Sequence, residues 1–370
     1  MTPADLSRAV LDAVCRAVED DTLPGPVPER VVVERPRPGG VGDYASNVAL
    51  RMAGRTGFTA REVAEILRAE IVRSGALHPR IARVEVTGPG FLNFTLADDS
   101  HGELVRTVLK AGTGYGHGGA LAGTTAAFAP ADELRAEVWT DTVVRLLRSQ
   151  GATAAVIPGG TESCTPVPVP AADGFAIGGL FARLGPDAAR WALLRAAAHD
   201  RAYTGDELLV QRESNPFFRV RYAYARTCAL ARNAARFGIT PDEVRTTPGE
   251  AEQTGYEAYE AYEEHTAYEE YEAYATPRAA AATAILITAL GDHPAVLEAA
   301  ARLRAPDRLA RHLEHTAEAF LRFQETASPL PVGDEKPSAA HRSRLALAEA
   351  AGAVLAGGLS LLGIDAPEHL

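Results

Sequence analysis

Lysine is almost absent from this chain: of 370 residues only Lys110 and Lys336 are lysine, and arginine supplies nearly all of the positive charge. Chemistry that relies on a lysine ammonium beside a phosphate has few places to occur. Cysteine is scarce too. Cys15, Cys164 and Cys228 stand far apart with no CxxC pair, which excludes a disulfide framework and a zinc ribbon. Cys228 falls on an apolar helical stretch and is expected in the core. No uninterrupted apolar run reaches the ~18–20 residues of a membrane span, and the N-terminus has no signal-peptide h-region. A cytoplasmic protein without a membrane partner is expected. The sequences HExxH, GxSxG and GxxxxGKS/T are missing, so the zincin, nucleophile-elbow and P-loop readings fail.

The net charge of -11 argues against a generally basic nucleic-acid binder, and DNA is not expected as a partner. The distribution of charge says more than the total. From Asn215 to Gly238 there are Arg219, Arg221, Arg226, Arg232 and Arg236 and no Asp or Glu, a local cationic segment on an acidic chain. Arginine replaces lysine throughout the chain, which fits a GC-rich genome better than selection for phosphate recognition.

The fold class read from the pattern is α+β: a small mixed α/β N-terminal domain and a mostly α-helical C-terminal bundle. Residues 1–98 hold a helix with Leu6, Val10, Leu11, Val14 and Val18 at helical spacing. A second helix is opened by a Thr59/Glu62 capping box, with Val63, Ile66, Leu67 and Val72 as its stripe. Ile81 to Val86 and Phe91 to Leu96 read as strands around Gly88-Pro89-Gly90. Residues 99–178 change character: a helix near Glu103–Lys110, a Gly-rich run, one amphipathic helix over 132–149, and a Pro/Gly-rich stretch over 158–174 that reads as linker. Residues 179–370 are helical apart from a low-complexity Tyr/Glu insert over 255–276. There, six tyrosines recur mostly at a spacing of three, which drifts around a helix and gives no packing face.

Two further motifs favour bland readings. Gly114, Gly116 and Gly119 match GxGxxG, but a helix precedes them and none directly follows, so a linker is expected and no nucleotide cofactor. His312 and His315 lie at i, i+3 without a completed ligand set, so surface histidines are expected and no metal site.

The run NPFFRVRYAYAR over 215–226 resembles the NP…QYAHAR segment that opens the helical anticodon-binding domain of the arginyl-tRNA synthetases. Gly42-Asp43-Tyr44-Ala45-Ser46-Asn47 and Gly88-Pro89-Gly90-Phe91-Leu92-Asn93-Phe94 are similar to that family's N-terminal domain. Gly185-Pro186-Asp187-Ala188-Ala189-Arg190 and the closing Leu359-Ser-Leu-Leu-Gly-Ile-Asp-Ala-Pro-Glu368 strengthen the resemblance, which spans residues 1–98 and 180–370. The family's catalytic signatures do not follow. Ala129–Arg135 resembles the surroundings of the HxGH motif with its core gone, and 171–178 stands without lysine where a KMSK-type loop belongs.

The resemblance implies a paralogue without the class I catalytic core, in which 99–178 is a degenerate remnant and no catalytic residues are assigned. It implies tRNA or another structured RNA as partner. The candidate RNA-binding residues are Asn47, Phe91 and Asn93 from the N-terminal domain and Arg219, Arg221, Tyr222 and Arg226 from the helical domain. Phe91 offers a ring for stacking and Asn93 an amide for base edges. The helical domain departs from the family pattern at Arg219, Arg221, Gln324 and His369-Leu370, exchanging stacking rings for arginines that favour phosphate. Two other readings remain open: a scaffold that binds a protein partner and no RNA, and an arginine–tRNA ligase active only with a catalytic partner in trans.

Overall fold

The computed structural model describes residues 3–34, 36, 41–74, 81–96, 100–169, 177–239 and 276–370. Of the Tyr/Glu insert only Thr276 is described, and of the KMSK-type position only Ile177 and Gly178; the remainder of both lies outside the described residues. The chain divides into two compact units, Met1–Leu104 and Val105–Leu370.

The first unit is the expected mixed domain. Helices α1 (Pro3–Glu19), α2 (Val48–Thr56) and α3 (Ala60–Ser74) accompany strands β1 (Val33–Glu34), β2 (Tyr44–Ser46), β3 (Ile81–Thr87) and β4 (Phe91–Leu96). The strands form an antiparallel sheet in the order β1-β2-β4-β3. Leu6, Val10 and Val14 of α1, Val63, Leu67 and Ile71 of α3, and Leu92 and Phe94 of β4 build the core. Val72, expected on the α3 stripe, is exposed, and Ile71 takes its place. Positions 63, 67 and 71 repeat at i+4, whereas 72 lies a further ~100° around the helix.

Local chemistry explains the 42–47 motif. Gly42 has φ 80°, and a Cβ there would come within 2.8 Å of the Phe94 carbonyl oxygen. Asp43 then holds β4 twice: its backbone N–H donates to the Phe94 carbonyl and its carboxylate accepts from the Leu96 N–H, both at 2.8 Å. Tyr44 is buried, and the Ser46 hydroxyl donates to the Val32 carbonyl.

In the second unit, α4 (Ser100–Ala111, its first residues within the first unit) runs into a 3-10 turn at Gly112–Gly114. Then β5 (Thr125–Phe128), α5 (Leu134–Ser149) and β6 (Thr153–Val156) make a parallel βαβ crossover. Among the described residues five long helices follow: α6 (Ile177–Arg195), broken at Gly185 with φ 76°; α7 (Pro216–Arg236); α8 (Pro277–Arg302); α9 (Pro306–Thr326); and α10 (Ala339–Leu362). Helices α8 and α10 are long and apolar enough to cross a membrane by length and composition, but both contribute buried side chains to the bundle, α10 along most of its length.

The β5–α5–β6 crossover packs into the helical bundle. Arg135 on α5 is wholly buried. Its guanidinium donates to the carbonyls of Leu193, Ala196 and Ala197 at the end of α6, and to those of Val167 and Asp200, at 2.7–3.0 Å. Carbonyls at a helix C-terminus lack intrahelical partners, and one buried cation serves several of them. The Trp139 indole N–H donates to the Arg304 carbonyl between α8 and α9. Arg145 donates to the Leu361 carbonyl at the end of α10, beside Gly363 in the left-handed conformation (φ 72°). Arg190 and Arg145 share Asp141, and Asp187 accepts from the Asp365 N–H. Thus the 185–190 and closing motifs are two sides of one docking contact.

The Gly-rich run is packed too. Gly116 has φ 86°, and a Cβ there would meet Leu297 at 2.8 Å. Tyr115 stacks on His293 of α8 at 5.8 Å, and His293 stacks on His312 of α9 at 5.2 Å. His312 is therefore buried, contrary to expectation, while His315 is exposed. Cys228 is half-buried and not a core residue.

Burial pushes His293 well below its ordinary range, with repulsion from His312 and His117 adding to it. Burial, helped by His315, pushes His312 down to about 4. The unfolded chain takes up these protons near pH 6.5, so the contribution is intact above that value and is lost as pH falls from 6.5 towards 4. Urea unfolding near pH 5 should show a loss of about 2 kcal/mol relative to pH 7 from His312 alone. Equal stability at the two values would contradict the buried pair. Arg135→Met should cost at least ~3 kcal/mol, because several carbonyls lose their donor together. A cost within 1 kcal/mol would show that water replaces it.

Candidate nucleic-acid interface

In the first unit the candidate residues surround the β3–β4 hairpin. Gly90, with φ 139°, lies against the Ala60 carbonyl at the start of α3, so the turn is pressed onto that helix end. Phe91 follows and is 37% exposed. Asn93 differs from expectation. It is 4% exposed, and its amide N–H groups donate to the Thr87 hydroxyl at 2.7 Å and the Phe91 carbonyl at 3.4 Å. Those donors close the hairpin and are not offered to a base. Asn47 is exposed at the N-cap position of α2, and its side chain makes no cap hydrogen bond.

Sequence reasoning missed two neighbours. Phe58 is 38% exposed, and Arg61 on the first turn of α3 donates to the Gly88 carbonyl at 3.4 Å. The capping box beside them forms as expected: the Thr59 N–H and hydroxyl donate to Glu62, whose own N–H donates to the Thr59 hydroxyl. These hydrogen bonds hold the Glu62 carboxyl below its ordinary range.

In the second unit α7 carries the other candidates. Asn215 is its N-cap and is buried. Its side-chain oxygen accepts from the Phe217 N–H at 3.0 Å, and its amide donates to the carbonyls of Leu208 and Val210, both at 2.9 Å. Pro216 suits the first helical position, where its missing N–H costs nothing. Arg219, Tyr222 and Arg226, at i, i+3 and i+7, share one stripe. Tyr222 is exposed and stacks on Phe218 at 5.6 Å with 17° between the planes. Arg226 is exposed and donates to the Gln324 side chain at 3.1 Å, while Arg219 reaches the Glu213 carbonyl at 3.5 Å.

Two arginines of the segment have acidic partners that only the fold supplies. Arg221 lies over the Phe217 ring at 5.3 Å and 3.9 Å from Asp187, so its charge is partly met inside the bundle. Arg232 lies 3.8 Å from Glu368 and also reaches the Glu368 carbonyl and the His369 ring. The segment is free of acids in sequence but not in space. Burial, with the Cys228 side chain as hydrogen-bond partner, pushes the Tyr224 phenol up to about 12, so this residue stays neutral.

Residues 4–96 match the arginyl tRNA synthetase N-terminal domain, and residues 220–370 match the DALR anticodon binding domain. The chain is similar to an arginine–tRNA ligase of Frankia alni, 52% identical over 117 residues. That match takes in 32% of this chain and 20% of the ligase, so the chain spans about a fifth of this relative's length. Among solved structures, the Thermus thermophilus arginyl-tRNA synthetase aligns over 99% of this chain and 100% of its own, with a TM-score of 0.63 at 14% identity. The Plasmodium falciparum enzyme aligns over 100% and 99%, with a TM-score of 0.60 at 9% identity. At such identities these two likenesses speak to the fold alone. Matched at both ends by domains of one kind, the chain belongs to the arginyl-tRNA synthetase family.

Proposed function

We propose that this chain is a non-catalytic member of its family that binds tRNA or another structured RNA. The observation that carries the reading is the α7 stripe, where two arginines flank an exposed ring already stacked on a second one. Such a surface suits a phosphate backbone with an unpaired base laid on the ring. Phe91 offers a similar ring on the first unit, with Asn47 as an exposed polar side chain from the same domain. Asn93 and Arg221 are left out because their donors or charge are engaged inside the protein.

The non-catalytic half of the proposal rests on the remnant. Transition-state charge on a phosphate is stabilised by fixed cations aimed at it. At the HxGH-like position the sequence runs Ala129 to Arg135, and that arginine is spent on backbone carbonyls. Neither lysine lies between 111 and 335. The crossover helix therefore supports the bundle instead of a nucleotide.

Filter binding of the full chain to total tRNA should show affinity that falls steeply with salt. Replacing Arg219 and Arg226 by Glu should weaken binding to all tRNAs alike and lower the salt slope by about one unit per lost phosphate contact. Tyr222→Ala should cost roughly 1–3 kcal/mol with the slope retained. Absence of salt-sensitive binding by the wild type would favour the scaffold reading instead. The purified chain should also show no arginine-dependent ATP–pyrophosphate exchange, and exchange above background would overturn the non-catalytic half.

A further inference from the structure

We propose that the cavity at the break in α6 is a binding site for a free α-amino acid with an apolar side chain. The site lies within the second unit and does not depend on the RNA-binding reading above.

The cavity has a volume of about 240 Å³ and is walled by α6, residues 208–211, α7 and Leu370. That is smaller than the ~300–1,000 Å³ of sites for drug-sized ligands, and suits a single amino acid. Its shape originates at Gly185, whose φ of 76° turns the chain before Pro186 restarts the helix. Asp187 and Ala188 thus stand in a first helical turn, where backbone N–H groups lack intrahelical acceptors and favour a carboxylate. Leu184, Leu208 and Phe217 line the cavity as buried apolar side chains. Leu209, Val210 and Leu370, which are exposed, continue that apolar lining towards solvent.

Two charges in this lining decide the occupant. The Arg221 guanidinium lies over the Phe217 ring, and its Nε is buried without a hydrogen-bond partner. A buried donor left unmatched is costly, and a ligand carboxylate would satisfy it. Asp187 stands 3.9 Å from Arg221, beyond hydrogen-bond reach. One Asp187 oxygen accepts from the Asp365 N–H at 3.2 Å, and the other faces Arg221. A phosphate or a plain carboxylate would meet the repulsion of Asp187. An α-amino acid avoids it, because its carboxylate pairs with Arg221 and its ammonium with Asp187. Both ligand charges sit on one carbon, which matches two protein charges standing side by side. The ligand's side chain then lies on Leu184, Leu208 and Phe217, and the apolar area buried there favours large side chains over glycine.

The test is isothermal titration calorimetry of the full chain with leucine, isoleucine, methionine and phenylalanine. At least one should bind saturably, and glycine should not. The corresponding amine without the carboxylate, and the corresponding acid without the ammonium, should each bind at least ~10-fold more weakly. Arg221→Gln should remove the preference over the amine. Asp187→Asn, which keeps the oxygen that accepts from Asp365, should remove the preference over the acid. Val210→Asp, at an exposed wall position, should weaken binding with the circular-dichroism spectrum unchanged. No saturable heat with any of the four, equal binding of the deaminated acid by the wild type, or unchanged selectivity in either charge variant would each overturn the proposal. None of these results touches the RNA reading, which rests on Arg219, Tyr222 and Arg226.

Discussion

The second unit depends on one buried cation. Arg135 gathers carbonyls from the end of α6, the loop after it and the segment at Val167. A guanidinium is suited to this task because its donors are spread in a rigid plane and it keeps its charge at any ordinary pH. Around this point α5 also receives the Arg304 carbonyl on Trp139 and the end of α10 on Arg145. The crossover is thus built into the helical bundle, and the bundle cannot be described without it. The β5–α5–β6 crossover is the structural centre of the second unit.

Much of the local structure was legible because its causes are local. The Thr59/Glu62 box, the Asn215-Pro216 helix start and the hairpin around Gly88-Pro89-Gly90 each form as their residue types dictate. The failures involve partners distant in sequence. Arg135 meets carbonyls between 32 and 65 positions away, and no periodicity marks them. His312 is buried because α8 brings His293 against it, which spacing along α9 alone does not reveal. The GxGxxG run was read as a linker from its flanking elements, and its packing on Leu297 and His293 was invisible.

The same limit applies to electrostatics. Counting charges along 215–238 gives five arginines and no acid, but folding places Asp187 beside Arg221 and Glu368 beside Arg232. What remains for a ligand is narrower and better defined: Arg219, Tyr222 and Arg226 on one stripe of α7. Partial neutralisation by Asp187 and Glu368 reduces the unspecific attraction this segment exerts. On the first unit, burial of Asn93 has a similar consequence. Its amide shapes the hairpin, while the Phe91 ring beside it remains exposed.

The central claim, that RNA meets the α7 stripe while the crossover arginine serves only the fold, can be tested by arginine-selective modification with phenylglyoxal, read by mass spectrometry. With saturating tRNA, Arg219 and Arg226 should lose reactivity, and Arg135 should be unreactive with or without tRNA. Unchanged labelling of Arg219 and Arg226 in the presence of bound tRNA, or labelling of Arg135 in the folded chain, would contradict the account.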